Sequence, residues 1–366
     1  MLLYQKISKD IRHSVDSGDL GPGAKIPSVN DLRQDYGVSH ITALRVYKEL
    51  TDANYIQKLP GKGYFVRERF LKKTVITGTI GCFVRPLREY RIEDNYFNDI
   101  NYGIQSECCA RRINLFRSHA LGGLYQKTPT DEGLSEIKRA MLNIADQVDG
   151  FLVDERIPDP IISEVIEETN KPALIVNRRS ELEIDAVGPA DRQGMLDALE
   201  KISRMGYNQF VFCSTEPSDS RLLAPRYEAF KEFTKINKID KANVNIINNC
   251  NIRPWSESAL AIEKIIRKKA INDKILIVSA ADSFARGLTS ILLTSEFKLK
   301  EDFGICGFNG LGYANNFKPQ LSTVDVNPVK IGTMAVDILM SRISREQYLK
   351  PTYHSPDAIF IFGETV

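Results

Sequence analysis

The chain has 366 residues, 43% of them hydrophobic and 26% charged, which is too long for one core and predicts two or three soluble domains. No apolar run approaches the roughly 18 residues that span a bilayer, and the start, Met1-Leu2-Leu3-Tyr4-Gln5-Lys6, lacks the blocks of a signal peptide, so a cytoplasmic protein with no membrane partner is expected. The net charge of +2 hides an asymmetry: residues 1–73 hold 13 Lys and Arg against 8 Asp and Glu, and the remainder 36 against 39, which suits a polyanion at one end only.

In chain order, Tyr4, Ile7, Ile11 and Val15 recur at helical spacing, so a first helix buries a stripe before Ser17-Gly18 stops it. Ser28 can cap a second helix with Val29 and Leu32 on its apolar face, and Gly37 ends it. Ser39 caps a third, which runs to about Ala53 with Ile41, Leu44, Val46, Tyr47 and Leu50 available for packing. A hairpin follows over Tyr55–Val66, with Pro60-Gly61-Lys62-Gly63 at its tip. Helix, turn, helix and wing in this order predict an α+β head whose third helix enters a DNA major groove. The wing cation would meet a phosphate or the minor groove. The same unit could instead dock proteins.

Residues 4–66 resemble the GntR family of bacterial regulators through Tyr4-Gln5-Lys6-Ile7, Ser17–Gly23, Ile26-Pro27-Ser28, Leu32, Gly37-Val38-Ser39, Thr42 and Gly61–Val66. The resemblance implies a winged helix-turn-helix that binds a double-stranded operator. Family members usually carry arginine where this chain has Asn30 and His40, and often at Leu44. The candidate DNA-binding residues are Ser28, Asn30, Ser39, His40, Thr42, Arg45 and Lys62, with His40, Thr42, Arg45 and Lys62 the base and phosphate readers. A basic linker follows over 67–74.

From about residue 75, strand-like runs (Gly78–Val84, Ile113–Phe116, Gly150–Val153, Ala173–Val176, Phe210–Cys213, Val244–Ile247, Ile275–Val278, Gly304–Cys306) alternate with helical ones (Phe97–Ala110, Leu134–Ala145, Ile161–Glu168, Met195–Met205, Tyr227–Ile236, Ser256–Lys269, Ser283–Leu293, Ile331–Ile343). Repeated βα units predict parallel sheets with helices on both faces. The count predicts two doubly wound α/β lobes, breaking near Asp185–Asp191, with a ligand outside the carboxyl ends of the strands. Six cysteines without a CxxC pair, and only four histidines, point to buried small hydrophobes in a reducing cytoplasm. Gly122-Gly123 reads as a turn. No phosphate-binding glycine loop, HExxH or nucleophile elbow is present, so neither catalysis nor a cofactor is expected.

This part is similar to the effector domain of the lactose/galactose-repressor family, which has the periplasmic-binding-protein-like fold. The landmarks are Val148–Val153, Lys171–Arg178, Arg226–Phe230, Ala281–Gly287, Phe303–Asn309 and Pro319–Val324, the last matching the strand that re-enters the first lobe. A GntR-type head on such a body resembles the arabinose-repressor architecture. The resemblance implies an effector-binding and dimerisation domain over 75–366, with lobe one at about 75–186 plus 320–345 and lobe two at about 188–318 plus 350–366. It implies sugar contacts from Arg226, Asp282 and Asn309, with Tyr96, Phe97, Arg178 and Trp255 as further candidates. Each has a plain alternative: a surface ion pair for Arg226, a helix cap for Asp282, core packing for Trp255. The expected function is a repressor of carbohydrate-utilisation genes, a homodimer controlled by a small sugar-like effector. An enzyme fused to a DNA-binding head, as in pyridoxal-phosphate relatives, and a sugar sensor that does not bind DNA are the competing readings.

Overall fold

In the computed structural model, residues 1–77 and 78–366 form two separate units. The structure describes residues 3–16, 19–21, 23–53, 55–59, 61–67, 77–85, 96–118, 130–214, 223–248, 255–270, 273–311, 318–344 and 352–366. The expected helix stop at Ser17-Gly18, Pro60 of the wing, the linker beyond Arg67, the Gly122-Gly123 turn and Cys250 lie outside them.

In the first unit, α1 (Leu3–Asp16) buries Ile7, Ile11 and Val15. α2 (Val29–Tyr36) begins with a capping box: Ser28 Oγ accepts from Asp31 N at 3.2 Å, and Ser28 N donates to Asp31 Oδ2 at 2.7 Å. It ends at Gly37, whose φ of 62° supplies the left-handed stop. α3 (His40–Asp52) is capped by Ser39 and buries Ala43, Val46, Tyr47 and Leu50. The wing pairs β1 (Ile56–Leu59) antiparallel with β2 (Gly63–Val66). Gly61 and Gly63 turn the chain at φ of 73° and 107°, angles that exclude most side chains. Ile26 N donates to Tyr64 O and Val66 N to Ala24 O, each at 2.9 Å, so the segment before α2 runs beside the hairpin.

The second unit is two lobes. The first contains β3 (Thr79–Phe83), α4 (Tyr96–Arg111), β4 (Asn114–Arg117), α5 (Asp131–Asn143), β5 (Gly150–Asp154), α6 (Asp159–Thr169), β6 (Ala173–Val176) and β7 (Asp185–Val187). The second contains α7 (Asp191–Ser203), β8 (Gln209–Cys213), α8 (Ala224–Ile236), β9 (Val244–Ile247), α9 (Ser256–Lys268), β10 (Ile275–Ser279), α10 (Asp282–Leu292), β11 (Phe303–Asn309) and β12 (Ser322–Asp325). α11 (Pro328–Ile343), β13 (Tyr353–His354) and β14 (Ile359–Ile361) complete both. The sheet orders are β13-β7-β6-β5-β3-β4 and β14-β12-β11-β10-β8-β9, parallel throughout except for β14.

Two expectations about the crossings are corrected. The Pro319–Val324 run does not re-enter the first lobe: β12 pairs in parallel with β11, from Cys306 opposite Ser322 to Asn309 opposite Asp325. The return comes after Asp325, where Asn327 caps α11 by accepting from Lys330 N at 3.0 Å. Nor does the tail over 350–366 belong wholly to lobe two. β13 joins β7 in the first sheet, because Asp185 Oδ1 accepts from both Thr352 N and Arg342 Nη2 at 3.0 Å. Only β14 returns to the second sheet.

One buried cluster runs through both lobes and includes Val84, Tyr96 and Ile331 with Phe308, Leu311 and Val326. Within it α4 and α11 cross closely, since a Cβ on Gly103 would sit 2.1 Å from Val329 O, and one on Gly332 2.1 Å from Ile100 O. Cys82, Cys108, Cys213 and Cys306 are free and buried, while Cys109 is exposed. Among the described residues no helix is long and apolar enough to cross a membrane.

Candidate functional site

The first candidate surface is on the head. Ser39 Oγ accepts from Thr42 N at 3.2 Å and meets Thr42 Oγ1 at 2.9 Å, so Ser39, like Ser28, spends its hydroxyl on a helix start. Asn30, His40, Arg45 and Lys62 are exposed and Thr42 is half-buried. The exposed residues of α3 are His40, Ile41, Leu44, Arg45, Lys48 and Asp52, opposite its buried stripe. Tyr47 O–H donates to Pro27 O, and burial pushes that phenol up to about 12. Arg12 binds Glu49 at 2.7 Å, joining α1 to α3. These ties fix α3 in its turn, as a helix that must enter a groove as a rigid body requires.

The second candidate is formed by the carboxyl ends of the strands of the two lobes. On the first lobe, Arg85 follows β3, Asp154 ends β5 with Glu155 just after it, and Asn177 follows β6. Arg85 Nε donates to Asp154 Oδ2 at 3.0 Å, and its Nη2 donates to Glu155 Oε1. Asn177 Nδ2 donates to the other Glu155 oxygen, and Tyr96 O–H donates to Asn177 Oδ1 at 2.6 Å. Phe97 lies under the Arg85 guanidinium, 4.0 Å from its ring centre. Burial pushes the Glu155 carboxyl up to about 7 against the opposing pull of Arg85. Tyr96 and Phe97 are thus both at this edge, although Tyr96 is nearly buried.

On the second lobe, Arg226 Nε donates to Asp191 Oδ1 at 2.8 Å and Nη1 donates to Ala280 O at 2.5 Å. Its guanidinium lies 4.1 Å from the centre of the Phe308 ring, and it is only 4% exposed, so a surface ion pair is excluded. Burial raises the Asp191 carboxyl, and Arg226 opposes the rise. Burial pushes the Tyr96 phenol of the first lobe up, and the charge of Arg226 opposes the rise.

Asp282 has a different part from the one expected. It is fully buried, with Oδ1 accepting from Thr323 Oγ1 at 2.6 Å and Oδ2 from Leu311 N at 2.9 Å. It is the first residue of α10 and makes no capping bond there; instead it braces the chain after β11. Burial pushes it up to about 6 despite the Thr323 bond. Asn309 ends β11 at φ 130°, and its Oδ1 is buried with no hydrogen-bond partner among the described residues.

Two candidates are placed elsewhere. Arg178 donates to Glu155 O, Ile157 O and Arg179 O at 2.7, 2.7 and 2.9 Å and pairs with Asp159, so its fork shapes a loop. Trp255 packs on the second-lobe core, so close to α10 that a Cβ on Gly287 would come 2.3 Å from its ring. The neighbour of Arg178 is oriented differently: Arg179 stacks 3.9 Å over the ring of Tyr353, whose O–H donates to Pro189 O at 2.8 Å, and its charge lowers the Asp191 carboxyl's affinity for a proton. Sequence reasoning missed Arg85, Glu155, Asn177, Arg179, Asp191 and Tyr353. The signal for Arg85, Asp154 and Asn177 was available, since each directly follows an expected strand run.

Guanidinium, carboxylate, amide and phenol groups beside two aromatic rings suit a small molecule rich in hydroxyls. Among the described residues no group of three or more His, Cys, Asp or Glu could hold a metal ion.

Residues 3–66 match the family described as bacterial regulatory proteins, gntR family, and residues 199–365 match the periplasmic binding protein-like domain. An arabinose metabolism transcriptional repressor of Geobacillus stearothermophilus is 19% identical, covering 93% of this chain and 91% of its own length. One from Halalkalibacterium halodurans is 22% identical over 94% and 90%. The fold matches a LacI family transcriptional regulator from Enterococcus faecium, solved with bound ribose, at a TM-score of 0.60 and 19% identity over 78% of this chain and 98% of that one.

Proposed function

We propose that this chain, which joins a gntR-type helix-turn-helix head to a periplasmic-binding-protein-like body, is a cytoplasmic transcriptional repressor of carbohydrate-utilisation genes. A small sugar or sugar derivative bound between the lobes controls it. The observation that carries the reading is the buried polar network at the strand ends, Tyr96 bonded to Asn177 on one lobe and Arg226 to Asp191 on the other, in a chain whose other unit is a capped helix-turn-helix. Arg226, Arg179, Tyr96 and Asn309 are the proposed ligand contacts, while Asp282 and Arg178 hold the walls. The relatives named as arabinose metabolism repressors support a sugar as the effector class. Operator binding proceeds as a homodimer, because one recognition helix makes few contacts and twofold sites supply two.

The test is a thermal-shift screen of the full chain against a panel of pentoses, hexoses and their phosphates, since a ligand of the folded state alone raises the melting temperature. The active compound should then change the affinity for operator DNA in a mobility-shift titration. A panel in which no sugar shifts the melting temperature, with a chain that still binds DNA, would refute the sugar assignment.

A further inference from the structure

Two large apolar side chains stand on the outward face of α3. Its buried residues are Ala43, Val46, Tyr47 and Leu50. At about 100° per residue the opposite face centres on Ile41 and, about three turns further on, Asp52, with Arg45, Lys48 and Leu44 around Ile41. Ile41 is 67% exposed and Leu44 45%. Three residues apart on a helix, they are surface neighbours. A single exposed apolar side chain needs no explanation, but an adjacent pair in the N-terminal half of a helix, beside Arg45 and Lys48, forms a patch.

The surroundings select its occupant. Arg45, Lys48 and the wing's Lys62 are exposed on a unit with an excess of basic residues, which favours a polyanion over an apolar protein surface. In a DNA major groove the one apolar group on a base edge is the C5 methyl of thymine. The helix rise places Ile41 and Leu44 about 4.5 Å apart along the axis, near the roughly 3.4 Å step between base pairs. We infer that Ile41 and Leu44 read thymine methyls on neighbouring base pairs of the operator half-site. Part of the sequence preference is then apolar, not hydrogen-bonded. This rests on the DNA-binding reading of the head.

Duplexes bound by the full chain are selected from a random pool, and each thymine of the shared half-site is replaced in turn by uracil. Uracil lacks only the methyl and keeps the hydrogen-bonding edge. One or two replacements should weaken binding about fourfold per half-site each, the worth of burying one methyl. Ile41→Ala and Leu44→Ala, exposed positions that leave the core intact, should each abolish one of these sensitivities. Lys62→Ala should weaken all binding and keep both. Uracil replacement without effect, or sensitivity surviving both alanine variants, overturns the inference. So does a changed oligomeric state in those variants with unchanged uracil sensitivity, which would assign the patch to a protein contact. Recovery of no bound duplex at all would refute the DNA-binding reading itself, which the other outcomes leave standing.

Discussion

Arg226 acts electrostatically on four buried or partly buried groups of the body, Asp191, Asp282, Tyr96 and Tyr353. It is nearly buried and holds Asp191, itself buried, so removing it strands a carboxyl whose proton affinity burial already raises. Breaking one side of such a pair costs about 3–5 kcal/mol. Arg226→Ala should therefore lower unfolding stability by about that amount in urea melts, and Arg226→Met with Asp191→Asn should recover most of it. A variant pair no more stable than Arg226→Ala would show that the ion pair is not what the alanine removes. Asp282 yields a prediction of the opposite kind. Its folded-state carboxyl sits at about 6 against an ordinary 3.8, so the folded chain binds its proton more tightly than the unfolded one. That contribution is complete below about pH 4 and is lost as pH rises through 6, reaching at most about 3 kcal/mol. Asp282→Asn should flatten the stability profile between pH 4 and 6 relative to the parent. Identical slopes in the two proteins would assign the proton elsewhere.

At the scale of elements, Gly103 and Gly332 decide whether α4 and α11 can touch. A methyl on either would meet a backbone oxygen of the other helix at 2.1 Å. Gly332→Ala should cost about 1–3 kcal/mol, the range for overpacking, and should weaken ligand binding too, because α4 carries Tyr96 at its start. Calorimetry on the variant checks both, and unchanged melting would mean the helices move apart freely. The head has a simpler counterpart in its caps: Ser39→Ala should lower head stability by about 1 kcal/mol, read by circular dichroism at 222 nm. Much of this architecture was legible in the sequence, because all eight expected strand runs and all eight helical runs lie on observed elements. The misread parts have physical causes. Helices α5, α6, α7 and α10 each begin on an aspartate, favoured by the helix dipole, so the apolar period starts late in each of them. Strands β7, β13 and β14 have three, two and three residues, too few for a pattern. How the two adjacent arginines are oriented depends on the turn after β6, where Asn177 takes φ 77°, and no side-chain period encodes that.

For the whole molecule the question is how a ligand in the body reaches DNA at the head. The two lobes are joined by three passages of the chain, after β7, after β12 and after β13, so a ligand that bonds both edges can change the angle between them at little cost in contacts within either lobe. It can shift DNA affinity only by as much as its own affinity differs between the open and closed arrangements. Typical coupling of about 1–3 kcal/mol corresponds to a change of about 5- to 150-fold in operator affinity. Thermodynamics then requires DNA to change the ligand's affinity by the same factor. The proposed sign is release, with the sugar weakening the operator complex, so operator DNA should weaken sugar binding equally. Titrating the active sugar into the full chain by calorimetry, with and without saturating operator duplex, measures that factor directly. Arg226→Ala should reduce both responses together, since it is a proposed ligand contact and lies outside the head. Equal sugar affinities in the presence and absence of operator would separate the two units functionally and leave the chain without a ligand-controlled switch.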